Sequence, residues 1–203
     1  MSKSLRNSFE ALGFEVTVHQ DLFHDEILKA LREVSQLDPA TTSCVAVALM
    51  SHGDSGVIHA ADRPYPVRDL FAYFLSEQCN LTNVPKLFFI QACRGDMVDS
   101  GRVALDGEEG VHLPTHANLL IVYATVEDHV SWRESTGSWL IQSLCKVLDM
   151  YGDKYDLLWL MTLVHREVAY NYASYTRDKT KHNKKQMPET KFSLTKLVFF
   201  NKF

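Results

Sequence analysis

The 203-residue sequence predicts an α/β fold built on a mostly parallel, two-sided sheet, and three observations predict it. Two runs, residues 44–50 and 87–90, the latter led by Lys86, are apolar without alternation, as parallel strands buried on both faces are. Each ends abruptly in small and polar residues, Ser51-His52-Gly53 after the first and Gln91-Ala92-Cys93-Arg94-Gly95 after the second. The stretches between such runs carry helical spacing, and strands alternating with helices imply βαβ units.

Taken in order, Leu5, Phe9 and Leu12 recur at helical spacing and Gly13 ends them, so residues 3–12 form an amphipathic helix. Residues 14–18 alternate as a strand. Asp21, with Asp25 and Glu26 in the first turn, caps a second helix whose apolar face is Ile27, Leu28, Leu31 and Val34. Asp38-Pro39 stops it. After the 44–50 strand, residues 56–66 read as a short hairpin and 67–78 as a helix leading to Pro85 and the second apolar strand. Residues 94–117 hold acids, four glycines and one proline without periodicity, which marks an exposed loop. A third apolar strand follows at 118–125, then a turn at 131–133. Helices at 138–150 and 154–174 and a final strand at 194–200 complete the chain.

Composition narrows the function. With 46% apolar residues and no low-complexity tract, residues 1–203 suit one domain with a sizeable core. A net charge of -4 and a pI near 6.1 argue against a nucleic-acid surface. The one basic cluster, 179–185, reads as a solvated loop. No apolar run approaches the roughly 18 residues that span a bilayer, and no signal peptide opens the chain, so no membrane association and a cytoplasmic location are expected. Cys44, Cys79, Cys93 and Cys145 lack C-x-x-C spacing and suit reduced thiols. His112-x3-His116 is the one metal-like pair, and without a cysteine pair neither a metal nor another cofactor is expected.

The two strand ends carry chemistry. Parallel strands that deliver His52 and Cys93 to their carboxyl ends place both where open α/β sheets bind ligands. Amide hydrolysis by cysteine needs a thiolate, a proton donor for the leaving amine and donors for the oxyanion. Cys93 and His52 supply the first two, and the backbone N–H groups of Gly53 and Cys93 suit the third. The plainer reading is a core thiol and a loop-end histidine; two coordinated strand ends weigh against it.

Gln-Ala-Cys-Arg-Gly at 91–95, with His52 lying 41 residues before Cys93, resembles the caspase family. The resemblance spans nearly the whole chain and includes Val130-Ser131-Trp132-Arg133, the 137–145 segment Gly-Ser-Trp-Leu-Ile-Gln-Ser-Leu-Cys, and Lys184-Lys185-Gln186-Met187-Pro188. It implies a caspase-like three-layer sandwich and an endopeptidase of programmed cell death that cuts after aspartate. Arg133 and Gln91 would bind the P1 aspartate, a task suited to a guanidinium that grips carboxylate through two hydrogen bonds. Ser131 would edge that pocket and Trp132 wall the P2 site. Val130 would leave P2 roomier and Glu134 would disfavour an acidic P4.

The resemblance further implies a zymogen with a large-subunit region at 1–106 and a small-subunit region at 107–203. Asp96, Asp99 and Asp106 are candidate processing sites, with Asp106 favoured for its greater slack. It implies dimerisation through the C-terminal strand, with itself or another caspase, and possible inhibitor proteins. Family catalytic domains open with a further strand, then a loop bearing a second P1 arginine. The sequence as given starts at the helix that follows. A second reading is therefore kept beside the enzyme: a catalytically silent partner that dimerises with and regulates a full-length caspase. The Arg94-Gly95-Asp96 tripeptide belongs to the nucleophile loop rather than to an adhesion motif.

Overall fold

The computed structural model of the protein describes residues 2–76, 78–95, 118–134 and 137–200. Helix α1 (Ser2–Ala11) buries Leu5 and Phe9, as its spacing requires. Helix α2 (His24–Ser35) begins at N-cap Phe23 rather than at the expected Asp21, and the Glu26 carboxylate accepts the Phe23 N–H at 2.8 Å. Strand β1 (Val45–Met50) is followed by β2 (Gly53–Asp54), β3 (Val57–His59) and β4 (Pro64–Pro66), then by β5 (Lys86–Gln91) and β6 (Leu119–Tyr123). Short strands β7 (Arg133–Glu134) and β8 (Gly137–Ser138) pair with each other before helices α3 (Trp139–Tyr151) and α4 (Leu157–Asn171). Strand β9 (Glu189–Phe192) comes last.

The main sheet has the order β1-β5-β6-β9, parallel except for the antiparallel β6-β9 pair. A smaller antiparallel sheet, β2-β3-β4, contains the expected hairpin. Side chains of the main strands divide by the period of two that a pleated strand imposes. Leu87, Phe89, Leu120, Val122 and Ala124 enter one core with α1, α3 and α4. Phe88, Ile90, Leu119, Ile121 and Tyr123 enter the other with Leu31 of α2, Ile58 and Tyr65 of the hairpin, and Leu70, Phe71 and Phe74. This is the expected three-layer sandwich, with the β5 carboxyl end at its centre.

Three expected elements differ. Residues 14–18 are extended but join no ladder; Phe14 and Val16 pack on the first core while Val18 is exposed. Alternation reports which side chains face inward and says nothing about a backbone partner. Instead of a helix, residues 67–78 hold two 3-10 turns, Val67–Leu70 and Ala72–Leu75. The rings of Phe71 and Phe74 both set their edges against Phe88, at 5.0 and 5.2 Å, and that tertiary packing fixes the chain in the tighter turns. The strand expected at 194–200 is also absent. Val198 and Phe200 turn inward there, Leu157 N–H donates to the Val198 carbonyl at 2.8 Å, and Val198 N–H donates to Asp156 Oδ2 at 2.9 Å. The closing strand lies earlier, at β9. No helix among the described residues is long and apolar enough to cross a membrane.

Candidate active site

β1 and β5 run in register with Met50 opposite Gln91, and the Ser51 N–H extends the pairing to the Gln91 carbonyl at 3.1 Å. Ser51-His52-Gly53 and Ala92-Cys93 therefore leave the same end of the sheet side by side. Gly53 makes this possible: a Cβ there would lie 2.8 Å from the Cys93 carbonyl oxygen and 2.9 Å from Ala92 Cβ. The glycine thus serves close approach to the Cys93 strand itself. His52 is exposed, its carbonyl accepts the His59 N–H at 3.1 Å, and its ring makes no hydrogen bond among the described residues.

The half-buried Cys93 thiol faces Ser131. Ser131 Oγ lies 3.6 Å from Cys93 Sγ, and the Ser131 N–H points to the same sulfur at 3.5 Å. Behind them, the buried Gln91 donates from Nε2 to Ser131 Oγ at 3.1 Å, while its Oε1 has no partner among the described residues. The sulfur also lies 3.9 Å from the Ser131 carbonyl oxygen, so the thiol is held against Ser131 through three of that residue's polar atoms. The chain is tied down immediately after Cys93. Arg94 N–H donates to the His129 carbonyl and Asp128 N–H to the Arg94 carbonyl, at 3.0 and 2.9 Å. The Arg94 guanidinium sits 4.1 Å over the Tyr123 ring and bonds Glu189, so it joins the loop to β6 and β9. Gly95, with φ at 150°, passes so close to Asp128 that a Cβ would meet its backbone at 2.5 Å.

Trp132 stands next to this network. Its ring stacks on Trp139 with centroids 6.0 Å apart, and Trp139 stacks in turn on Tyr172 at 5.3 Å. Its N–H donates to Gln186 Oε1 at 2.6 Å, and Gln186 Nε2 donates to the Ala124 carbonyl at 2.7 Å. The indole Nε1 is buried and without a partner among the described residues. Val130 is half-buried beside it. The backbone of Arg133 and Glu134 forms β7; their side chains lie outside the described residues, as do Asp96, Asp99 and Asp106.

Sequence reasoning missed two contributors. Gln186 holds the Trp132 backbone from 54 residues away, and its signal was its place in the Lys-Lys-Gln-Met-Pro run, to which no role was attached. Arg94 was read as part of a motif and proves to be its anchor. Two further cysteines are poorly suited as nucleophiles: burial pushes the Cys44 thiol up to about 12 and raises that of Cys145.

A cysteine and a histidine leaving adjacent parallel strands, with the Ser131 N–H pointing to the sulfur, make an arrangement that cysteine peptidase chemistry can use. The comparisons narrow the class. Residues 2–199 match the family model of the caspase domain, and the chain belongs to the caspase family. It is 38% identical to caspase-1 of Spodoptera frugiperda over 99% of this chain and 70% of that protein. It is 37% identical to caspase drICE of Drosophila melanogaster over 98% of this chain and 62% of that one. With caspase-3 of Mesocricetus auratus the identity is 39%, over 97% and 73%. The crystal structure of caspase-1 from Spodoptera frugiperda superposes with a TM-score of 0.91 at 37% identity, covering all of this chain and 82% of that one.

Proposed function

We propose that this chain is a cysteine endopeptidase that cleaves proteins after aspartate, in programmed cell death in the cytoplasm. The observation that carries the reading is the Gly53 contact, which holds the histidine strand end against the Cys93 carbonyl at the mouth of the sheet. Cys93 attacks the scissile carbonyl, His52 delivers a proton to the leaving amine, and the N–H groups of Gly53 and Cys93 receive the oxyanion. Arg133 and Gln91 hold the P1 carboxylate, Ser131 edges that pocket and Trp132 walls P2. Val130 leaves P2 open to larger side chains, and Glu134 repels an acidic P4. Activation follows a cut within 94–117, after Asp106 in preference to Asp99. Neither metal nor cofactor takes part.

The test is labelling with an aspartyl fluoromethyl ketone, which an aspartate-directed thiol attacks. Mass spectrometry is expected to find the adduct on Cys93 alone, absent in Cys93→Ser, with the glutamyl and alanyl analogues at least tenfold slower. Adducts on Cys44, Cys79 or Cys145, or no discrimination at P1, would overturn the assignment.

One observation favours the silent-partner reading: the His52 ring has no hydrogen-bond partner among the described residues, so nothing shown there orients it. Under that reading the chain leaves the ketone unreacted, yet changes the turnover of a full-length caspase mixed with it.

A further inference from the structure

The loop between α4 and β9 is strongly basic on an acidic protein. Residues 174–185 hold five basic side chains, Arg177, Lys179, Lys181, Lys184 and Lys185, against the single acid Asp178, whereas the chain as a whole carries -4. The loop is folded on itself around the buried Ser174. Ser174 N–H donates to the Lys184 carbonyl at 2.9 Å, Asn183 N–H to the Ser174 carbonyl at 2.7 Å, and Ser174 Oγ to the Lys181 carbonyl at 2.5 Å. Its own acid is spent internally: Asp178 Oδ1 accepts from Thr180 N–H and Oγ at 2.9 and 2.6 Å, and these bonds lower its pKa. Arg177, Lys179 and Lys181 are exposed, and no carboxylate among the described residues lies within 4 Å of any of them.

Both feet of this loop stand on the Trp132 wall. The chain enters it from Tyr172, whose ring packs on Trp139 beneath Trp132, and leaves it at Gln186, which holds the Trp132 N–H. Lys185 Nζ braces the entry by donating to the Tyr172 carbonyl at 2.7 Å. Lys179 lies seven residues from either foot, so at 3.3 Å per residue the tip can stand at most about 23 Å from the wall, and the pairing around Ser174 brings it within that limit. An extended peptide whose P2 side chain meets Trp132 covers the same distance with its P5 to P8 residues.

We infer that the 174–185 loop is a substrate-recognition surface for acidic residues at P5 to P8, reading the protein segment that precedes the scissile aspartate. The inference rests on the peptidase reading for the direction of the substrate. Loop cations at the rim act on encounter and on KM, and their pull is screened by salt.

The experiment uses two peptides with Val-Ala-Leu-Asp at P4 to P1, one with four glutamates and one with four glutamines at P5 to P8. Three rim contacts of about twofold each give an expected preference of about tenfold in kcat/KM for the acidic peptide, mainly through KM, at low ionic strength. Arg177→Gln/Lys179→Gln/Lys181→Gln should abolish the preference while leaving the neutral peptide unaffected, as should about 0.5 M salt. Anisotropy of both labelled peptides with the full chain carrying Cys93→Ala gives a readout independent of turnover. If neither peptide is cut but the acidic one binds better and loses that advantage in the triple variant, the peptidase reading falls and the surface stands. Equal handling of the peptides in both assays, or a preference that survives the triple substitution, overturns the inference. So does a single-stranded oligothymidylate of equal charge that binds as tightly as the acidic peptide.

Discussion

Gly53 brings the strand ends that carry His52 and Cys93 together through one missing methyl group. Adding that methyl would place carbon 2.8 Å from both the Cys93 and Val57 carbonyl oxygens, and backbone on both sides leaves no flexible side chain to yield. Gly53→Ala is therefore expected to destabilise the chain by about 1–3 kcal/mol, the usual cost of overpacking. Aspartyl-ketone labelling of Cys93 should slow at least tenfold, because a misplacement of about 1 Å is that costly. Calorimetry and labelling kinetics check the pair; a Gly53→Ala chain with unchanged melting and labelling would show that the two strand ends are not pressed together. At this scale the strand-end positions of His52 and Cys93 were legible, since an apolar run that breaks into small and polar residues marks a strand end by itself. The contact between Ser131 and Cys93 was not, because 38 residues separate them and the parallel sheet that brings them together is a property of the fold.

Elements were legible where burial alone defines them and illegible where a partner does. β5 and β6 were read from unbroken apolar runs because both their faces are covered. Residues 14–18 carry the same inward-outward pattern as a strand, and the pattern is satisfied by packing without a ladder. The connection of α4 to β9 shows what such packing does to titration. His165 on α4 shares a 2.8 Å hydrogen bond with Thr190 Oγ1 on β9, and burial holds its pKa below the ordinary 6.5. As pH falls past 6.5 the unfolded chain takes up a proton that the folded chain refuses. Stability contributed at neutral pH is then lost progressively until the lower folded pKa is passed. The melting temperature should therefore drop between pH 7 and 5, and His165→Gln, which retains a hydrogen-bonding side chain, should flatten that drop. An unchanged slope in the variant would assign the acid sensitivity elsewhere.

Among the described residues the main sheet has β1 and β9 as its edge strands, and apolar groups are exposed on β9 and on the segment that follows it. Phe192 is 48% exposed, and further along Leu197 is 70% and Phe199 47% exposed, between the inward-facing Val198 and Phe200. The 194–200 segment has the alternation of a strand without a ladder on its outer side. Unpaired strand edges and outward apolar side chains are what a second chain satisfies. A two-fold operation would bring the same edge of another copy against it, each residue meeting its symmetry counterpart region. The chain is accordingly expected to sediment at twice its 23.2 kDa, with the mass falling to the monomer on dilution. Leu197→Asp/Phe199→Asp should shift the equilibrium toward monomer by at least tenfold, because it places charge where apolar surface would be buried. It should leave the fold intact, since both side chains already face solvent and the core contacts belong to Val198 and Phe200. Circular dichroism verifies that intactness before the masses are compared. A double variant that remains folded and dimeric would place the interface elsewhere. A parent chain that stays monomeric at about 0.1 mM would show that the β9 side stays solvated despite its open edge, at an affinity weaker than about −5.5 kcal/mol.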